Sequence, residues 1–200
     1  MFYRRKLPRW HPDLSETAFL FVTWRLAGSV PLTRRLQPSP TVPHNAGRAF
    51  LVLDREADKA AFGPVWLQDA RVARLVADTL LRGARERQFY VLRAWVIMPN
   101  HVHVVLQPKT SLPVITRWLK GSTARKANLL LGRTGETFWQ DESFDHGVRD
   151  EAEWERIVGY VEHNPVSAGL AASPADWPWS SAGLPGESAW PTILAMPHGM

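Results

Sequence analysis

The chain has 200 residues, 45% of them hydrophobic and 22% charged, which fits a single globular domain and excludes a disordered or fibrous protein. No apolar run reaches the roughly 18 residues a bilayer span needs. The basic N-terminus leads into no apolar stretch of the secretory kind. The absence of cysteine removes disulfides, thiolate zinc sites and cysteine nucleophiles together, and fits a cytoplasmic protein. The net charge is +5, the pI is near 10.0, and 19 of the 24 cations are arginine, whose planar fork matches phosphate oxygens in pairs. That balance points toward nucleic acid. A coding bias toward arginine gives the same total, so the distribution of the cations decides more than their number.

Residues 1–17 form a basic arm carrying Arg4, Arg5, Lys6 and Arg9, with no acid before Asp13. Residues Ala18 to Ala27, AFLFVTWRLA, are aromatic and β-branched and predict a strand. The segment 31–50 opens with PLTRRLQPSPTVPHN, has no periodicity and predicts a long loop. From Asp69, a plausible N-cap, Val72, Leu75, Val76, Thr79 and Leu80 fall at helical spacing. FYVLRAWVIM and HVHVVLQP flank Pro99-Asn100 and predict a hairpin. Pro113 begins a second helix, with a break or bend expected at Gly121; FDHGVRD predicts a short edge strand. A third helix is expected from about Asp150 to His163, stopped by Asn164-Pro165, since a residue before proline avoids the α region. Residues 166–200, rich in proline and tryptophan, read as an irregular tail. The order is βαββαβ plus one helix: an α+β, ferredoxin-like domain over 18–165 whose antiparallel sheet carries helices on one face.

Within that frame, His101 and His103 are two apart on a strand, so both imidazoles leave the same face. Two imidazoles so placed suit a divalent metal. With 7 histidines in the chain, roughly a quarter of an H-x-H pair arises by chance, and a solvated strand face explains it as well. The third helix adds to the pair. Trp154, Ile157, Val158 and Val161 form its apolar stripe, with Tyr160 and Asn164 stacked at i and i+4 on one flank. Asn164 offers a hard carbonyl oxygen suited to Mg²⁺ or Mn²⁺, or else a helix C-cap. Tyr160 is the tyrosine placed on a half-exposed helix flank, where an amphipathic filler at the core edge explains it as well. His163 projects nearly opposite the stripe and ranks behind Asn164 as a ligand. Between Gln107 and Gly135 there is no acid, but there are Lys109, Arg117, Lys120, Arg125, Lys126 and Arg133. An unopposed track of this kind suits a phosphate backbone. Trp118 within it stacks a base or is buried packing. The acids from Asp141 to Glu155 read as a solvated helix start. No P-loop, G-x-G-x-x-G, G-x-S-x-G or H-E-x-x-H is present, which removes the nucleotide-cofactor, α/β-hydrolase and zincin classes.

The stretch AWVIMPNHVHVVLQP resembles the metal-site strand pair of the HUH single-tyrosine transposases, where U is a hydrophobic residue. FWQDESFDHGVRD, YVEHNPVSAGL and WPWSSA are similar, in order and spacing, to the REP-associated branch of that family. The resemblance runs roughly from Phe19 to Ser181. It implies a ferredoxin-like catalytic domain acting on single-stranded DNA folded into hairpins. His101 and His103 are then metal ligands for Mg²⁺ or Mn²⁺. Asn164 is the third ligand, where related transposases often carry glutamine, and Tyr160 is the nucleophile that forms a 5′-phosphotyrosine link. Arg4, Arg5, Lys6, Arg117, Lys120, Arg125 and Lys126 are then DNA contacts. The expected partner is single-stranded or hairpin DNA, with no membrane and no nucleotide cofactor, and with a monomer favoured over a homodimer. The alternative is a catalytically silent, domesticated protein that binds DNA or RNA hairpins.

Overall fold

The computed structural model describes residues 18–29 and 63–183. Arg4, Arg5 and Lys6, the proline-rich segment 31–50 and residues 184–200 lie outside that range. The elements in chain order are β1 (Leu20–Leu26), a 3₁₀ turn (Trp66–Gln68), α1 (Ala70–Arg85), β2 (Tyr90–Ile97), β3 (His101–Pro108), α2 (Leu112–Leu130), β4 (Trp139–Gly147), α3 (Glu151–Ser167) and a second 3₁₀ turn (Pro174–Asp176). All strand pairs are antiparallel, in the order β2-β3-β1-β4. This is the ferredoxin-like βαββαβ arrangement with one helix added.

Strand alternation divides the sheet into two apolar faces. Leu20, Val22, Trp24, Leu26, Val102, Val104 and Leu106 point to one side, where they bury Val72, Val76 and Leu80 of α1 and Ile115 and Leu119 of α2. Phe21, Ala94, Val96, Met98 and Val105 point to the other, against Trp154, Ile157, Val158, Tyr160 and Val161 of α3. The stripe expected on the third helix is therefore its packed face. The crossover helices occupy one layer and the tyrosine helix the opposite one, so the two sides of the sheet are chemically distinct.

Local signals explain the helix limits. The Asp69 side chain accepts from Arg71 N at the start of α1, as an N-cap should. Asp150 does the same for α3 through Glu153 N. α3 does not stop at Asn164-Pro165: Pro165 lies inside it and the helix runs to Ser167. A proline one turn from a helix end removes only one donor, and the signal that ends α3 is Gly169 at φ 71°. Ala168 N then bonds Asn164 O, and Leu170 N bonds Pro165 O. α2 runs through Gly121 without interruption, because that position faces open space and needs no side chain. β4 is an edge strand but begins earlier than expected, at Trp139, whose Nε1 donates to Thr123 Oγ1 of α2 at 2.8 Å. Its acids Asp141, Glu142 and Asp145 thus belong to a strand, and only Asp150, Glu151, Glu153 and Glu155 belong to the helix start.

The tail is not wholly irregular. Trp179 O accepts from Ile97 N, Ser181 N donates to Trp95 O, and Val96 bridges Ser180 in antiparallel fashion. The segment caps the otherwise open edge of β2, satisfying backbone groups that an edge strand leaves exposed. Trp177 Nε1 also donates to Ile97 O at 3.0 Å. The hairpin between β2 and β3 is closed by Met98, Pro99 and Asn100, all buried, with Met98 N bonded to His101 O.

Candidate active site

The fold brings four of the sequence-predicted site residues together on the α3 side of the sheet. His101 and His103 leave β3 on that face, as their spacing predicts, and both are fully buried. Their Nε2 atoms face each other at 2.9 Å. Each ring is held from behind. Asn100 Oδ1 lies 2.6 Å from His101 Nδ1, and Thr23 Oγ1 lies 2.6 Å from His103 Nδ1. A carbonyl oxygen only accepts, so His101 donates through Nδ1 and directs its Nε2 lone pair toward His103. Fixing the tautomer through the far nitrogen is how proteins orient imidazoles that ligate metals.

α3 supplies the other two groups. Asn164 is 1% exposed, and its Nδ2 is 3.5 Å from His103 Nε2. Its Oδ1 is buried and has no hydrogen-bond partner. Such an atom costs free energy on the order of 1–3 kcal/mol unless something satisfies it. Tyr160 is half-buried, with its ring centroid 5.6 Å from that of His103. Phe21 stacks on His103 at 5.4 Å and meets Tyr160 edge-on at 6.1 Å, which sets the spacing between imidazole and phenol. His163 is exposed and bonds back to Gly159 O within the helix, away from the pair.

The donor set fits a divalent cation. Two ligands at right angles around a metal, each at about 2.1 Å, are about 3 Å apart, which agrees with the separation of the two Nε2 atoms. Two imidazoles converging through their Nε2 atoms, with a buried amide oxygen that has no hydrogen-bond partner beside them, are what a cation would satisfy. Among the described residues no group of three or more His, Cys, Asp or Glu forms another centre, so the candidate set is His101, His103 and Asn164.

The predicted cation track lies elsewhere. α2 packs on the opposite face of the sheet, and its Arg117, Arg125 and Lys126 are exposed there. Lys120 is drawn to β4, where its Nζ donates to the carbonyls of Gln140, Asp141 and Glu142 at 2.9, 3.0 and 3.3 Å. Arg133 lies 3.8 Å from the Trp66 ring centroid and forms an ion pair with Glu136. Trp118 is half-buried packing, edge-on to Phe89 at 5.5 Å. Sequence reasoning missed Thr23 and Asn100. The signals were a polar residue inside the apolar run AFLFVTWRLA and an amide next to the histidine pair.

Residues 66–164 match the family model described as "Transposase IS200 like". A REP-associated tyrosine transposase of Escherichia coli (strain K12) is 26% identical over 110 residues, covering 54% of this chain. The chain spans 62% of that relative's length. The structure of a REP-associated tyrosine transposase bound to a REP hairpin superposes with a TM-score of 0.54 and 17% identity, over 88% of this chain and 82% of that one, which establishes the shared fold. The matched segment begins just before α1 and ends on Asn164, so it contains both histidines, the tyrosine and the amide; the chain belongs to the IS200-like transposase family.

Proposed function

We propose that the chain is a metal-dependent single-stranded DNA endonuclease and strand transferase, with Tyr160 as nucleophile and hairpin-forming, REP-like DNA as substrate. One observation carries the reading: the Tyr160 ring of α3 lies against His103, which converges with His101 of β3 and has the buried amide of Asn164 beside it. Family membership and the REP-hairpin complex of a fold relative support it.

His101, His103 and Asn164 would hold Mg²⁺ or Mn²⁺, which supplies charge neutralisation at the scissile phosphate when bound. Thr23 and Asn100 hold the two rings so that both Nε2 atoms stay directed at one point. Phe21 keeps Tyr160 on the same side of the sheet as the histidines. The Tyr160 hydroxyl loses its proton as it attacks phosphorus. The new Tyr160 Oη–P bond replaces the P–O3′ bond, and the departing O3′ takes up a proton. The strand is left with a free 3′-hydroxyl and a 5′-phosphotyrosine. The ester retains the energy of the original linkage, so the 3′-hydroxyl of the same or another strand reverses the step without ATP.

The test is incubation of wild-type and Tyr160→Phe protein with a single-stranded hairpin oligonucleotide and Mn²⁺. Wild type should form a covalent protein–DNA adduct that survives denaturing electrophoresis, and the variant none. An adduct from Tyr160→Phe at the wild-type rate would place the nucleophile elsewhere. Salt-sensitive binding with no adduct from wild type would instead mark a silent hairpin-binding protein.

A further inference from the structure

Strand β1 places one cation on the histidine face. Leu20, Val22, Trp24 and Leu26 point into the α1/α2 core, so Phe21, Thr23 and Arg25 point to the α3 side. Thr23 is confirmed there by its contact with His103. In the β1–β3 register Thr23 lies opposite His103 and Arg25 opposite His101. Directly opposed residues in an antiparallel pair have Cβ atoms about 5 Å apart, and an arginine side chain spans that distance with length to spare. Arg25 is half-buried, whereas both histidines are fully buried.

A permanent positive charge next to a pair of metal-binding imidazoles carries a physical cost. Guanidinium does not deprotonate at any accessible pH, so it opposes a dication beside it. An anion that touches both reverses the sign of the effect. Arginine's fork suits two oxygens of one phosphate, and a phosphodiester is the anion a DNA-processing site must hold. We infer that Arg25 binds a non-bridging oxygen of the scissile phosphodiester, on the side opposite Tyr160, and so couples metal binding to DNA binding. The inference rests on the nickase reading above for the identity of the ligand. Charge on the non-bridging oxygens is greatest as the phenolate adds, so a fixed guanidinium there stabilises the transition state more than the bound substrate.

The experiment compares Arg25→Gln and Arg25→Lys in two assays, with melting temperature as the check on folding. In a Tyr160→Phe background, binding is measured to a hairpin oligonucleotide with a single-stranded extension, with native linkages and with neutral methylphosphonates in the extension. Mn²⁺ affinity is measured with and without the native oligonucleotide. With Tyr160 present, the rate of adduct formation is measured. Arg25→Gln should bind the native oligonucleotide about tenfold more weakly, and the neutral one as the parent does. It should bind Mn²⁺ at least as tightly without DNA, and lose the roughly tenfold gain in Mn²⁺ affinity that DNA gives the parent. Its adduct rate should fall on the order of 10²- to 10³-fold, with Arg25→Lys in between. Arg25→Gln that matches its parent in native-DNA binding and in adduct rate overturns the inference while leaving the nickase reading intact. Arg25-dependent binding of the native but not the neutral oligonucleotide, with no adduct from wild type, sinks the nickase reading and leaves the phosphate contact standing. If neither glutamine nor lysine is tolerated and both variants melt as unfolded chains, Arg25 is structural and the inference fails.

Discussion

Replacing Thr23 with valine tests whether the histidine pair is a prepared metal centre or a packing accident. The two side chains are nearly isosteric, so the change removes one oxygen from the β1–β3 interface and little volume. That oxygen lies 2.6 Å from His103 Nδ1 inside a site where both residues are buried, at 1% and 0% exposure. Loss of the bond leaves a buried ring nitrogen without this partner, which costs about 1–3 kcal/mol of folding stability. It also releases the ring from the orientation that aims Nε2 at its neighbour, and loss of such an outer partner typically weakens metal binding by about 10- to 100-fold. The two effects are separable. Urea unfolding in chelator gives the first, and Mn²⁺ titration by calorimetry or by its paramagnetic signal gives the second. A neighbouring control, Val22→Ala, removes apolar volume from the opposite face of the same strand. It should lower stability by a comparable 1–3 kcal/mol, roughly, without changing Mn²⁺ affinity. If Thr23→Val and Val22→Ala give the same Mn²⁺ affinity as wild type, the threonine does not orient a ligand and the metal assignment loses its main support.

Four further outcomes follow from the structure. Gly83 of α1 lies so close to Tyr90 that an added Cβ would overlap its phenol, and that Cβ would also meet Trp118 Cζ3 at 2.9 Å. Gly83→Ala should therefore destabilise by about 1–3 kcal/mol in chemical denaturation, against the usual helix preference for alanine. Asp69 is held well below the ordinary carboxylate range, at about 2, chiefly by the hydrogen bond from the Arg71 side chain and by the one from Arg71 N. A lowered pKa means stability present above pH 4 and lost as pH falls toward 2, so the stability gap between wild type and Asp69→Asn should close across that window in pH-dependent melting curves. Among the cations of α2, Lys120→Met should lower stability, because three strand carbonyls lose their donor. Joint replacement of Arg117, Arg125 and Lys126 by glutamine should leave melting unchanged and flatten the salt dependence of hairpin binding, by a slope of about 0.7–0.9 for each phosphate no longer neutralised.

How much of this is legible in the residues depends on the range of the signal. β1, α1, the β2–β3 hairpin and the edge position of β4 follow from local patterns, because alternation and 3.6-residue spacing are properties of neighbours in sequence. The same-face placement of His101 and His103, and the stacking of Tyr160 and Asn164 on one flank of α3, are local in the same sense. The end of α3 is misplaced when Pro165 is given more weight than Gly169 four residues later. Lys120 reads in sequence as one more solvent-facing cation, and only the proximity of β4 shows that backbone carbonyls hold it. The docking of residues 179–181 on β2 depends on partners more than 80 positions away, and no local pattern announces it. Thr23 and Arg25 are the clearest case. Their relation to the histidines is a matter of strand register, which becomes visible only when β1 is laid beside β3.

The two faces of the sheet also separate two tasks that the sequence runs together. Read in line, the histidines lead directly into the α2 cation track, as though one surface held both. In the fold, the imidazoles and phenol occupy the α3 layer, and the exposed cations of α2 lie in the opposite layer. A single phosphodiester cannot touch both, since the α2 layer and the sheet lie between them. Any nucleic acid gripped by Arg117, Arg125 and Lys126 must therefore pass around an edge of the sheet to reach Tyr160. The β2 edge is capped by the segment ending at Ser181, whereas β4 carries Asp141 and Glu142, acids unsuited to a phosphate backbone. On the proposed reading, the charge beside the reacting phosphate would come from the histidine face itself. Arg25, placed opposite His101 by the register of β1 and β3, is the cation of β1 proposed to supply it.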